Sequence, residues 1–191
     1  TTGVETESDS ELRERANHAL EFAGKATVSS LETAIRAVEG VRSLLIDDKP
    51  EGVAGIVKVI VDGGDKDEIE RVISETRAAG ITVEFLRPRI VYIDVALTLT
   101  LQKETSPTTA VTDAEKLVRS YISLLKIGDD VLFSKIIEAA LSVRGVLDVT
   151  DVMISAHRED EIFESEIENI IITSEERAEP RTITVLYEKK E

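Results

Sequence analysis

The sequence predicts an α+β protein of two small domains, each with helices packed on a short, mainly antiparallel sheet. Runs with apolar residues at every third or fourth position alternate with short runs rich in branched residues. Glycines follow several of the helical runs, as they do at helix ends. Pro88, between two arginines, fixes its own φ and disfavours a helical residue before it. We therefore expect one domain over residues 1–87 and a second over residues 88–191.

Capping-box patterns place the helices of the first half. Ser8 with Glu11, and Ser29 with Glu32, have the spacing at which a hydroxyl and a carboxylate satisfy the free N–H groups of a helix start. Asp65 and Glu68 predict a third start. The predicted elements are helix 8–24, helix 29–40, a hairpin of strands 41–46 and 56–61, helix 65–80 and strand 81–86.

The second half contains the clearest strand of the chain. Apolar residues occupy every odd position from Val91 to Leu101, which is the period of a strand with one buried face. Thr112 and Glu115 predict the next helix start. The other predicted elements are loop 102–109, the helix that ends at residue 128, helix 134–143, strand 146–155, and a final hairpin of strands 169–173 and 182–187.

Gly40 and Gly145 occupy equivalent positions in a repeated pattern. An apolar helical run, a glycine, a valine and a strand occur twice at an offset of 105 residues. We interpret both glycines as structural residues at helix-to-strand corners with positive φ, where replacement by alanine costs about 1 kcal/mol. Two copies are too few for a solenoid, so the pattern indicates two domains that use a similar corner. A chance match of so short a pattern is the alternative.

The composition excludes several classes of function. The chain has 23 Lys and Arg against 38 Asp and Glu, a formal charge of -15, which disfavours nucleic acid and anionic membranes as partners. It has no cysteine, so a disulfide, a thiolate metal site and a Cys nucleophile are excluded. No apolar run approaches 18 residues, and the first residues do not resemble a signal peptide. The missing initiator Met suggests a fragment.

Four features of the sequence could be functional sites, but each is more simply interpreted as a surface or turn feature. His18 and His157, in a polar helix and a charged loop, have no neighbouring triad partner. The turn 62–68 lacks the spacing of a calcium loop, and Gly63 with Gly64 lacks a phosphate-binding pattern. The acidic stretch Glu159–Glu168 could bind a hard cation or supply paired carboxylates, although a solvated loop is the simpler interpretation. We therefore expect no catalytic residue, cofactor or metal.

The first residues of the chain resemble a family motif. Residues Gly3 to Arg15 are similar to the acidic entry motif of baseplate J-like proteins, which leads into a helix through a Glu-Ser-Asp-x-x-x-Arg-x-Arg pattern. Val38-Glu39-Gly40-Val41 and Val143-Arg144-Gly145-Val146 resemble the corners of that family's middle and C-terminal domains. The resemblance covers nearly the whole chain. The acidic stretch Glu159–Glu168 departs from the family, where a tighter turn is expected.

The resemblance implies a mechanical role. Proteins of this family form the wedges of phage tails and related contractile injection machines, where they bridge hub and sheath. The chain would then be a non-enzymatic baseplate component of a virion or tail-like particle, assembled in the host cytoplasm. Its partners would be other baseplate proteins and sheath-initiating proteins, with the full-length protein in a multi-subunit ring and this fragment monomeric. The alternatives are an acidic scaffold or adaptor outside a tail machine, and a hydrolase using the stretch Glu159–Glu168.

Overall fold

The computed structural model of the chain describes residues 13, 27–52, 54–159, 162–165 and 168–190. Its backbone contacts divide it into two compact units, Thr1–Arg87 and Pro88–Glu191. Each unit contains two described helices and one small mixed sheet, so the predicted α+β class is confirmed. The helix predicted over residues 8–24 and its His18 lie outside the described residues, except for helical Arg13.

The first unit has a three-stranded sheet in the order β1-β2-β3. Its elements are α1 (Val28–Arg36), β1 (Val41–Asp47), a 3-10 turn (Pro50–Gly52), β2 (Ile56–Gly63), α2 (Lys66–Thr76) and β3 (Thr82–Leu86). Strands β1 and β2 form the expected antiparallel hairpin, while β3 lies parallel to β2. The core joins one face of each helix to the central strand through buried Leu31, Ile35, Ile69, Ile73, Val57, Val59 and Val61.

The caps of the first unit correct one prediction and match another. Helix α1 is capped by Thr27 and Ser30, whose hydroxyls and backbone N–H groups bond reciprocally at 3.1 and 3.2 Å. The predicted cap at Ser29 was wrong, because a serine at the third helical position replaces the usual glutamate of a capping box. Helix α2 begins after Asp65, whose carboxylate accepts the Glu68 N–H at 3.0 Å, as predicted.

The turn between β2 and α2 is held by Arg87. Gly63 and Gly64 both have positive φ, 80° and 70°, and their carbonyl groups point to the guanidinium. Arg87 donates to Gly64 O at 2.8 Å, to Val61 O at 3.1 Å and to Gly63 O, and its guanidinium carbon lies 5.2 Å from the Phe85 ring centroid. The backbone of this turn is therefore held in place by hydrogen bonds from Arg87 within the first unit. From the sequence, no role of Arg87 could be predicted beyond its place next to Pro88.

The second unit is built on β4. Its elements are β4 (Arg89–Leu101), α3 (Pro107–Ser123), α4 (Phe133–Leu141), β5 (Val146–His157), β6 (Ile162–Ser165) and β7 (Glu176–Lys189). The sheet order is β6-β5-β4-β7, with β5 antiparallel and β7 parallel to β4. All six odd-numbered positions from Val91 to Leu101 are buried. This face and the helices form the core, as the alternation predicted.

Three predictions for the second unit were wrong. Helix α3 begins after Ser106 rather than Thr112, because Pro107 is preorganised for the first helical position. Residues 169–173 form no strand, but only an isolated bridge between Ile170 and Val131. The last strand begins at Glu176, runs through Pro180 and pairs with β4, so the predicted final hairpin does not exist.

The acidic stretch Glu159–Glu168 is not simply a loop. Ile162–Ser165 forms β6, which pairs antiparallel with the end of β5 in the register His157 to Ile162. Ile162 and Phe163 are residue types that favour strands, and a neighbouring strand edge is available for them. The surrounding carboxylates hid this signal in the sequence.

Candidate functional site: the glycine corners and the polar side chains of the second sheet

The corners at Gly40 and Gly145 have the same backbone geometry. Their φ angles are 82° and 88°. Each helix end makes the same three backbone hydrogen bonds at the same offset of 105 residues. The matched pairs are Ala37–Thr33 with Ser142–Glu138, Val38–Ile35 with Val143–Ala140, and Val41–Val38 with Val146–Val143. The repeated sequence pattern therefore folds into one repeated structure.

Each corner glycine also binds the neighbouring strand. The Gly40 carbonyl accepts the N–H of Gly64 at 2.8 Å, and the Gly145 carbonyl accepts the N–H of Gln102 at 2.9 Å. Gly64 directly follows β2 and Gln102 directly follows β4, which are the antiparallel neighbours of the strands that leave the two corners. A helix end and two strands thus meet at a single residue in each unit.

The space around the two glycines differs. A Cβ atom at Gly40 would meet its nearest atoms, the backbone of Gly64, at 3.5 Å, which is ordinary contact. A Cβ atom at Gly145 would lie 2.1 Å from Thr105 Oγ1 and 3.0 Å from Thr105 Cβ. The Gly145 corner is therefore restricted by close packing as well as by its φ angle.

Asp94, His157 and Arg181 form a polar cluster on three neighbouring strands. Arg181 Nε donates to Asp94 Oδ1 at 3.0 Å, and Arg181 Nη2 also contacts this carboxylate. His157 Nε2 lies 3.0 Å from Asp94 Oδ2 and 2.9 Å from Arg181 Nη2. The hydrogen bond from Arg181 is the main reason that the pKa of Asp94 falls to about 2, from an ordinary 3.8.

His157 was wrongly placed in a loop and on the surface. It is the last residue of β5, and only 19% of its side chain is exposed. The strand extends two residues beyond the predicted Ser155, because β6 and β4 pair with its end. Asp94, Arg181 and Arg158 were not singled out from the sequence, since their partners are distant in the chain.

A second polar pair lies at the start of β7. The Glu176 side chain is 7% exposed and accepts from Arg158 Nε at 3.1 Å and from the Thr173 N–H at 3.0 Å. Burial opposes its ionisation, but the hydrogen bonds from Arg158 and Thr173 outweigh burial and hold the Glu176 pKa below its usual value. Arg158 also donates to Ile171 O at 2.7 Å, so this pair fixes the segment that leads into β7.

An open hollow of about 970 Å³ adjoins these polar groups. Among its lining residues are Arg89, Arg158, Arg181 and His157, with exposed Tyr92 and Ile162 beside them. We call this the arginine hollow. Guanidinium groups are suited to carboxylate or phosphate oxygens. The hollow has cationic and apolar walls, although Glu159 also lines it.

The described residues contain no group of three or more His, Cys, Asp or Glu side chains placed to hold a metal ion. No helix in this part of the chain is long and apolar enough to cross a membrane. In the acidic stretch, residues 160, 161, 166 and 167 and the side chains of Glu164 and Ser165 lie outside the description. Of the six carboxylates on which the hydrolase alternative rests, those with described side chains are Glu159 and Glu168, and both are exposed.

Comparison with known families identifies the second unit. The family model of the baseplate J-like protein C-terminal domain matches residues 93–186. The second unit is a baseplate J-like C-terminal domain. The resemblance drawn from the sequence is thereby confirmed. None of the curated proteins matches the chain.

A solved structure has a similar fold. The chain is similar to a chain in the cryo-EM structure of the anti-feeding prophage (AFP) baseplate, 6-fold symmetrised, with a TM-score of 0.57 and 13% sequence identity. The similarity covers 91% of this chain and 42% of the AFP chain. The chain thus spans less than half the length of that protein, and at this identity the likeness shows the fold alone.

We predict that the two corner glycines differ in their sensitivity to substitution. Gly40→Ala should lower the free energy of unfolding by about 1 kcal/mol, because an alanine is forced to positive φ. Gly145→Ala should cost about 1 kcal/mol more, since Thr105 must move. Urea denaturation measures both. Thr105→Ala in the Gly145→Ala background should recover most of the difference; equal costs at the two glycines would contradict the packing argument.

We predict that Asp94 stabilises the second unit only when it is ionised. Its folded pKa is lowered, so its contribution is complete above its ordinary pKa of 3.8 and is lost as the pH falls towards 2. Asp94→Asn should therefore cost about 1 to 2 kcal/mol at pH 7 and almost nothing near pH 2. Denaturation across this pH range tests it, with exposed Asp113→Asn as the matched control. A cost that does not change with pH would refute the prediction.

Proposed function

We propose that the chain is a structural component of the baseplate of a phage tail or a related tail-like particle. The observation that carries this is the match of residues 93–186 to the baseplate J-like C-terminal domain. The similar fold of a chain in the AFP baseplate supports it. Fold alone does not fix function, but here the matched family is itself defined by its place in the baseplate.

We further propose that residues 1–87 are the middle domain of this family and that the protein is a wedge component that bridges hub and sheath. Its partners would be other baseplate proteins and sheath-initiating proteins, and its location the baseplate of the particle, assembled in the host cytoplasm. The AFP baseplate is symmetrised six-fold, which supports a place for the full-length protein in a closed ring. A ring needs two different contact patches on each copy.

The proposed role is mechanical rather than catalytic. The described polar clusters consist of ion pairs that join strands, and nucleophile, cofactor and metal roles are not part of the proposal. A formal charge of -15 argues against nucleic acid and anionic membranes as partners. An acidic adaptor outside a tail machine is the alternative, and the location of the protein separates the two.

We predict that the full-length protein is a fixed component of tail-like particles purified from the organism that encodes it. Mass spectrometry of the particles should find it at a constant ratio to the other baseplate proteins, and deletion of its gene should prevent baseplate assembly. A capsid or sheath protein of the same particle serves as the reference. Its absence from purified particles would favour the adaptor.

We predict that the 191-residue chain is monomeric on its own. Copies with a charge of -15 repel each other within a Debye length, which is about 8 Å at physiological salt. Analytical ultracentrifugation at 0.15 M salt should give a single species of about 21.0 kDa. A stable closed ring formed by this chain alone would show that the proposed dependence on neighbouring proteins is incorrect.

A further inference from the structure

We propose that β4 and β7 form a tension clamp, which resists force applied along the chain between residues 88 and 190. The clamp gives a physical basis to the mechanical role, so its biological meaning rests on the proposed function. The resistance itself is a property of the second unit alone.

The clamp depends on the direction of the two strands. Strand β4 opens the second unit and β7 closes its described part, and the two lie side by side and parallel. Their paired positions run from Arg89 with Glu176 to Leu101 with Lys189. Tension at residues 88 and 190 therefore pulls the strands past each other along their length. In this shear geometry all the hydrogen bonds between the strands share the load, whereas peeling from one end loads them one after another.

Backbone hydrogen bonds extend the ladder at both ends. The Arg89 N–H donates to Glu175 O at 2.9 Å, and the Lys190 N–H donates to Leu101 O at 3.2 Å. Thr100 Oγ1 and Glu188 Oε1 add a side-chain link of 3.0 Å near the second end. The pairing thus covers the whole length of β4.

The clamp has one weak point, and Asp94 bridges it. The register shifts between Ile93 and Val95, next to Pro180, which has no N–H to donate. At this bulge Asp94 Oδ1 accepts the Thr182 N–H at 2.9 Å and Arg181 Nε at 3.0 Å. The carboxylate therefore gives the Thr182 N–H of β7 a partner on β4 at the point where the register shifts. We assign Asp94 as the residue that keeps the two halves of the β4–β7 ladder mechanically continuous.

Single-molecule force spectroscopy tests the clamp. The chain has no cysteine, so two introduced cysteines are unique attachment points. Arg89→Cys with Lys190→Cys applies shear, and Gln102→Cys with Lys190→Cys peels the same two strands from one end. All three positions are exposed. The second unit should unfold at about twice the force or more in the shear geometry, because forced unfolding is governed by the unfolding barrier. That barrier is higher when the bonds between the strands must break together than when they break one after another.

Asp94→Ala in both cysteine pairs tests the role of the carboxylate, because it removes the oxygen that accepts the Thr182 N–H. It should lower the shear force clearly and leave the peeling force almost unchanged, since peeling begins at the distant Leu101 end. Asp113→Ala is the control for the loss of a carboxylate. Equal forces in the two geometries of the unsubstituted chain would overturn the clamp, whether or not Asp94→Ala folds. An equal effect of Asp94→Ala on both forces would overturn its assigned role. Neither outcome depends on finding the protein in particles, which tests the proposed function separately.

Discussion

Both units depend on one backbone constraint, which is the change from helix to strand through a glycine at positive φ. The helix end needs partners for its last carbonyl groups, and the next strand must start in register with its neighbour. Gly40 and Gly145 meet both demands, because their carbonyl groups also accept the N–H that follows the neighbouring strand. The pairing of Val41 with Gly63, and of Val146 with Leu101, is thereby set at its first position.

In the second unit, β4 links the glycine corner to the rest of the sheet. Gln102, directly after the last residue of β4, donates the corner hydrogen bond to the Gly145 carbonyl, and β4 pairs with β5 on one side and with β7 on the other. One of its faces supplies six buried apolar side chains, and the other carries Asp94. The same strand therefore connects the hydrophobic core, the corner and the polar cluster. The stability of the second unit and its proposed mechanical role thus depend on the same strand.

The sequence predicted those parts whose signal is local. Alternation identified β4, branched residues identified the first hairpin, and glycine spacing identified both corners. The errors at the starts of α1 and α3 were local, whereas those in the pairing of β7 and in the polar side chains arose where the deciding partner is distant. Arg181 is 87 residues from Asp94, and β7 finds its parallel partner at the other end of the unit. Cross-strand ion pairs of this kind have no periodic pattern, so Arg158, Glu176 and the true position of His157 could not be predicted.

The arginines discussed above have structural partners, and the net negative charge of the chain is carried by other side chains. Arg158 and Arg181 pair with Glu176 and Asp94 in the second unit, and Arg87 binds backbone carbonyl groups in the first. These arginines hold strands and turns together, and the two ion pairs cancel in the net charge. The formal charge of -15 is thus carried by other carboxylates, many of them exposed, such as Glu39, Glu104 and Asp113. A neighbouring subunit that packs closely against this surface must therefore supply basic side chains, since like charges would otherwise oppose the contact.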